Sequence, residues 1–178
     1  MIRYADPRLD AGACAAIYGP YVDGAGTSFE EHPPSAADFA ARIERVSAHY
    51  PWIVAERDGE VAGFAYASAH RERPAYRWSA ESSVYIHADH QGRGVGRELY
   101  GTLIDLLRRQ RLEVVCAGIT LPNETSVRLH ESCGFELVGT YRRIGFKAGA
   151  WRDVSWWQLF LGPQSDGSPP EPLGPQQL

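Results

Sequence analysis

A chain of 178 residues that is 44% hydrophobic and 11% aromatic has enough apolar surface for one globular core and too little for two. Its 18 Lys and Arg against 22 Asp and Glu leave a formal net charge of −4, which excludes a general affinity for phosphate backbones or anionic lipid; neither nucleic acid nor a membrane is expected as a partner. The apolar runs Ile53–Ala55 and Val114–Ile119 fall far short of the ~20 residues that cross a bilayer, and Met1–Pro7 has no continuous apolar segment of the secretory kind, so a cytoplasmic location is expected.

Asp6-Pro7 combines an N-cap acceptor with proline at N1, and Leu9, Ala13, Ala16 and Ile17 then recur at helical spacing, predicting a helix that stops at Pro20. A second helix is predicted from Ser35, with Asp38 at the capping-box position and Phe39, Ile43, Val46 and Tyr50 as a core stripe. A hairpin follows, Trp52–Glu56 and Val61–Ser68 joined by an Asp58-Gly59 turn. A strand from Glu81 to His87 then runs into a glycine-rich loop and a helix marked by Val95, Leu99, Leu103, Leu106 and Leu107. The buried strand Val114–Ile119 precedes a short helix from near Asn123 with Gly134 at C′, and strands near Phe135–Gly139 and Ser155–Leu161 close the domain. This order implies an α/β (α+β) fold, a mixed central sheet with helices on both faces. Cys14, Cys116 and Cys133 match neither a zinc ribbon nor a disulfide framework and are expected as reduced, buried thiols. After a domain spanning 1–162, the segment 163–178 has five prolines, three glutamines and no aromatic residue; it cannot offset its ordering entropy and is expected to be a disordered Pro-rich tail.

Gln91-x-x-Gly94-x-Gly96, between strand and helix, aims backbone N–H groups at one point at the positive end of a helix dipole, with no Cβ at Gly92, Gly94 or Gly96. Such a nest suits a pyrophosphate. A nucleoside-triphosphate loop would need Lys-Ser/Thr where Arg97-Glu98 stands, and a dinucleotide fold would need a third glycine in the place of Arg97. No metal is expected: there is no H-E-x-x-H, and His87-x-x-His90 has no third ligand near it.

The glycine motif resembles the acyl-CoA pyrophosphate loop of the GNAT N-acetyltransferase superfamily. Asn123-x-x-Ser126-Val127-x-Leu129-His130-Glu131-x-x-Gly134-Phe135 is similar to that superfamily's Asn-x-x-Ala-x-x-Leu-Tyr-x-x-x-Gly-Phe segment. The stretches Arg73–Ile86, Leu121–Asn123 and Gly145–Val154 narrow the resemblance to the phosphinothricin and methionine sulfoximine/sulfone N-acetyltransferases, over about residues 2–161. It implies the GNAT fold and acetyl transfer from acetyl-CoA to the α-amine of a small amino-acid analogue, a detoxifying reaction. Acetylation of a polyamine, an aminoglycoside or a protein N-terminus, and a catalytically silent acyl-CoA sensor, are the competing readings.

An α-amino group is mostly protonated at neutral pH, so a base is required; the resemblance assigns that role to Glu81, acting directly or through one water. It assigns the backbone N–H groups of Val84, Tyr85 and Ile86 to the oxyanion and the pantetheine arm. Gln91, Gly92, Arg93, Gly94, Val95, Gly96 and Arg97 would hold the pyrophosphate, with charge from Arg93 or Arg97, and Asn123 and Ser132 would add CoA contacts. His130 stands where the wider superfamily carries a tyrosine acid, and is expected to protonate the departing thiolate or to touch substrate. Arg73 and Tyr76 would grip the anionic head of the substrate, with Phe29, Ser79 and Val154 lining its pocket. A homodimer is expected, its interface near the C-terminal strands, where Trp151, Trp156 and Trp157 offer either aromatic surface of the kind interfaces favour or core packing, which the sequence does not separate.

Overall fold

In the computed structural model, which describes residues 1–24, 27–163 and 167–178, the apolar and β-branched runs pair into one seven-stranded sheet. Its strands are β1 (Ile2–Tyr4), β2 (Trp52–Arg57), β3 (Glu60–Ala69), β4 (Ser79–Ile86), β5 (Val114–Leu121), β6 (Glu136–Lys147) and β7 (Ala150–Phe160), in the spatial order β1-β2-β3-β4-β5-β7-β6. Every neighbouring pair is antiparallel except β4 and β5. Helices α1 (Ala11–Asp23) and α2 (Ala36–Ser47) cover one face; α3 (Val95–Arg109) and α4 (Glu124–Ser132) cover the other. Successive strand residues therefore feed two cores. Trp52, Val54 and Phe64 pack with Cys14, Ile17, Tyr18, Phe39 and Ile43, while Ile53, Ala55, Ala65 and Ala80 pack with Leu99, Leu103 and Leu107.

The capping box of α2 is complete: Ser35 Oγ accepts the Asp38 N–H and the Asp38 carboxylate accepts the Ser35 N–H. The β2–β3 hairpin turns on Asp58 (φ 53°) and Gly59 (φ 84°), as a two-residue loop with left-handed residues requires. Gly134 (φ 89°) follows α4 as its C′ residue.

The first helix departs from expectation at both ends. Asp6 Oδ1 does accept the N–H groups of Arg8 (2.7 Å) and Leu9 (3.2 Å), but it closes a separate turn, and α1 starts only at Ala11. Pro20 lies inside α1, not after it. Proline forfeits one backbone bond there, on an exposed position, while the turn on either side buries Tyr18 and Val22. The buried face is Ala11, Cys14, Ile17, Tyr18 and Val22, and Leu9 is exposed. Two further elements were outside the sequence pattern. β1 is three residues long, and β6–β7 is a long hairpin turning at Ala148 (φ 51°) and Gly149 (φ 72°) where only its far ends were expected. The first nine residues of β6 are all exposed, so no inside–outside alternation marks it. Of the cysteines, all free, Cys14 is buried and Cys116 and Cys133 are half-buried.

The described part of the C-terminal segment lies against the domain; Gln164–Asp166 are outside the described residues. Leu173 N–H donates to Gln110 O (2.9 Å) and Gln110 Nε2 to Leu173 O (2.8 Å). Trp78 Nε1 donates to Pro170 O (2.8 Å), Arg77 forks onto the Glu171 carboxylate at 2.7 and 2.9 Å, and Leu178 packs on the larger core.

Candidate active site

The parallel strands β4 and β5 pair only at Ser79↔Val114, Ala80↔Val115 and Glu81↔Cys116. Beyond Glu81 no pairs join them, although β4 runs on to Ile86 and β5, held by β7 as far as Leu121↔Asp153, runs on to Leu121. A gap therefore opens in mid-sheet with Glu81 at its head. The β3–β4 register, in which His87 N–H bonds Ala62 O, turns the backbone polar groups of Tyr85 towards β3 and those of Val84 and Ile86 into the gap. Of the three expected backbone donors, Val84 and Ile86 thus face the opening and Tyr85 does not. Tyr21, at the end of α1, reaches this strand edge: its hydroxyl donates to Ile86 O (2.7 Å) and accepts from Ile86 N–H (3.2 Å) and from Gln91 Nε2 (3.1 Å).

The glycine loop follows directly. Gly92 (φ 71°) and Gly94 (φ 84°) hold left-handed conformations with open space where a Cβ would be, and Gly94 precedes α3 with no side-chain cap on its first N–H groups. An uncapped helix start behind an open glycine turn suits an anionic ligand. Gly96 has a second use: a Cβ there would lie 3.1 Å from Leu129 Cδ2, so it lets α3 and α4 approach. Arg97 Nη2 donates to Ser132 O (3.1 Å), which brings two of the expected cofactor contacts together across those helices, and Arg93 is exposed at the loop. Asn123 is the N-cap of α4, its Oδ1 accepting the Ser126 N–H at 3.1 Å.

On the α1–α2 face, Glu81 Oε1 accepts from His70 Nδ1 (2.9 Å) and Arg71 Nη1 (3.2 Å). The His70 ring meets Tyr76 edge-on, centroids 5.8 Å apart, and Trp156 at 6.2 Å. A cleft of about 580 Å³ runs along this edge, lined by Ala69, His70, Arg71, Glu72, Arg73 and Tyr76. Arg73 and Tyr76 thus join the Glu81 end of the gap, and Ser79 shares the Glu81 face two residues upstream. Neither His70 nor Arg71 was foreseen from the sequence. The signal is the register Ser68↔Glu81, which puts His70 on the face of Glu81, and that register is not readable from the chain alone. Burial, then the charge of Glu81, push the Cys116 thiol up and keep it protonated.

Val154 and Trp156 of β7 flank Gly118 of β5 on this face; a Cβ on Gly118 would come within 3.5 Å of both side chains. Phe29 lies on Gly145, where a Cβ would be 2.5 Å from its ring. Lys147 Nζ fastens that loop by donating to Val22 O (2.6 Å), Ser28 O (2.7 Å) and Glu30 O (2.6 Å), while Glu30 pairs with Arg42 at 2.8 Å.

His130 lies across the sheet, among the α3–α4 packing, 3% exposed. Its Nδ1 is 2.7 Å from Ser126 O, an acceptor only, so Nδ1 carries the proton and Nε2 accepts from the Tyr100 hydroxyl at 2.7 Å. Burial pushes the imidazole pKa down and that of the Tyr100 phenol up, so both stay neutral. Tyr100 in turn meets Ser82 Oγ at 3.3 Å. In this arrangement neither nitrogen of His130 is available to a departing thiolate or a substrate, and Glu81 and His130 sit on opposite faces of the sheet.

A family model described as an acetyltransferase (GNAT) domain matches residues 7–156. The phosphinothricin N-acetyltransferase of Streptomyces viridochromogenes is 40% identical over 167 residues, 93% of this chain and 89% of that protein. The L-methionine sulfoximine/L-methionine sulfone acetyltransferase of Salmonella typhimurium is 37% identical over 161 residues, 90% of this chain and 94% of that protein. Among solved structures, a GNAT superfamily phosphinothricin acetyltransferase from Sinorhizobium meliloti in complex with AcCoA superposes with a TM-score of 0.91 at 35% identity, covering 96% of this chain and 93% of the other.

Proposed function

The chain belongs to the GNAT acetyltransferase family and is an acyltransferase, and from that premise we propose that it moves the acetyl group of acetyl-CoA onto the α-amine of a small amino-acid analogue of the phosphinothricin, methionine sulfoximine or methionine sulfone type. The observation that carries this reading is the gap beyond Glu81, with a basic glycine loop at its far end and the Arg73–Tyr76 cleft at its head. Val84 and Ile86 offer strand-edge donors and acceptors to an amide-bearing chain, and Tyr21 and Gln91, which hold Ile86, are the side chains such a chain would displace. The N–H groups from Gly92 to Arg97 suit its pyrophosphate; acetyl-CoA brings the activated acyl group, as a thioester. Arg73, with its planar fork of donors, suits a carboxylate or phosphinate. Glu81 supplies the basic function at the amine, and direct attack on the thioester follows. Acetylation removes the charge through which such an analogue imitates an amino acid, and so confers resistance to it.

A second copy of the chain pairs through β6, whose exposed Leu137, Val138, Tyr141, Ile144 and Phe146 form an apolar edge strand beside Trp151. A cytoplasmic location accords with three free cysteines. The deciding measurement is thiol release from acetyl-CoA with phosphinothricin, methionine sulfoximine, methionine sulfone and ordinary amino acids. The first three are expected to exceed the amine-free background well above the last group, and a flat response across the panel overturns the substrate assignment.

A further inference from the structure

The Glu81 carboxylate does not face the cleft alone: the side chain nearest it is an imidazole whose two nitrogens differ in role. Because a carboxylate oxygen accepts, the 2.9 Å contact puts the hydrogen of a neutral His70 on Nδ1 and leaves the lone pair on Nε2. Nε2 makes no hydrogen bond to the described residues, and His70 lines the cleft that also holds Arg73 and Tyr76. Carboxylate, Nδ1–H and a free Nε2 in line is the arrangement by which a carboxylate fixes an imidazole tautomer and steadies the imidazolium formed when Nε2 takes a proton. Imidazoles titrate far closer to an α-ammonium than carboxylates do, and proton transfer is most effective when donor and acceptor are matched near the working pH.

We infer that His70 Nε2 is the atom that takes the proton from the substrate ammonium, with Glu81 as the orienting partner of His70. This rests on the acetyl-transfer reading and names the residue through which the basic function of Glu81 is exercised. The ammonium gives one proton to Nε2. The nitrogen lone pair so released forms the C–N bond to the thioester carbonyl carbon, the C–S bond breaks with its electron pair on sulfur, and a second nitrogen proton ends on that sulfur. The proton on His70 passes to solvent. The groups that face the imidazole are Glu81 from β4, Arg71, Glu72 and Arg73 from the loop, Tyr76 from the turn and the uncharged Trp156 from β7; Cys116 of β5 stands behind Glu81. Arg71, half exposed, shares Oε1 with His70 and leaves Nε2 untouched.

The test compares wild type, His70→Ala, His70→Asn and Glu81→Gln, using the amine of the panel that wild type turns over best. Asparagine can still donate to Glu81 from the position of Nδ1 but has no base at Nε2. Both His70 variants are expected to lose about 10²-fold or more in kcat at neutral pH, with the KM for acetyl-CoA unchanged. Activity should return as pH is raised towards the pKa of the amine or when imidazole is added, so that in both variants the acid limb of the wild-type pH profile gives way to one set by the amine itself. Unchanged melting temperatures and unchanged stabilisation by acetyl-CoA verify folding. If His70→Asn keeps wild-type kcat and the wild-type acid limb, His70 merely holds Glu81, and if His70→Ala loses less than about threefold, His70 is dispensable; in either case the inference falls while acetyl transfer stands. A wild type that releases no thiol with any amine removes the acetyl-transfer reading, and this inference with it.

Discussion

At the scale of single residues, hydrogen-bond partners decide what a titratable side chain can do. Glu81 lies at a solvent-reached cleft beside two potential cations, with one oxygen unclaimed by the described residues, so its charge can serve chemistry. His130, in a motif position that by resemblance is catalytic, spends its Nδ1 proton on Ser126 O and its Nε2 lone pair on Tyr100. This burial has a measurable sign. The folded-state pKa of His130 is lowered, so the unfolded chain binds the proton first as pH falls. The stabilisation is complete above the unfolded value of ~6.5 and is lost as pH drops from there towards the folded value. Urea unfolding of wild type between pH 7.5 and 5.5 should therefore show a steeper fall in stability than His130→Gln, which cannot titrate; parallel curves would mean that His130 is not neutral and buried in solution.

At the scale of elements, the substrate side of the site is held by one cation. Lys147, at the end of β6, gathers three carbonyls from the end of α1 and the loop that carries Phe29, including the negative end of the α1 dipole. Charge-assisted bonds of this kind are each stronger than neutral ones. Lys147→Met should release the loop, lowering stability by on the order of 3 kcal/mol and raising the KM for the amine several-fold while the KM for acetyl-CoA stays put. Equal changes in both constants would show a general loosening of the sheet. The sequence had marked Lys147 only as a member of a motif and ended β6 near Gly139. The three carbonyls it serves lie more than a hundred residues upstream, and no local pattern announces such a contact. By contrast α2, α3 and α4 are legible because their stripes and caps are local: Ser35 with Asp38, Val95 through Leu107, Asn123 with Ser126.

At the scale of the molecule, two surfaces await partners or have found them. Composition denies the segment 163–178 a core of its own, yet its described residues borrow one, bonding Gln110 and Trp78 and setting Leu178 on the α3 side. Ending the chain at Gly162 should leave Nε2 of the buried Gln110 with His49 O as its one partner among the described residues and lower the melting temperature by several degrees, with kcat within about twofold of wild type. An unchanged melting curve would show that the segment does not dock. The apolar edge of β6 calls for a second copy: the wild type should run as a dimer by light scattering, and Ile144→Glu as a monomer. A wild-type monomer would refute the pairing.

What the sequence by itself determined is whatever short-range stereochemistry encodes. The glycine loop between strand and helix, the Asn123 segment, the caps, the hairpin at Asp58-Gly59 and hence the family-level reading all sit within a few turns of chain, where φ, periodicity and N–H orientation are properties of neighbours. What only the tertiary structure decided is which of the candidate groups meet. The β4–β5 divergence after Glu81 and the pairing of that carboxylate with His70 depend on strand register, and the enclosure of His130 by Tyr100 depends on how α3 packs against α4. A slip of one residue in β4 would turn Glu81 to the opposite face of the sheet and part it from His70.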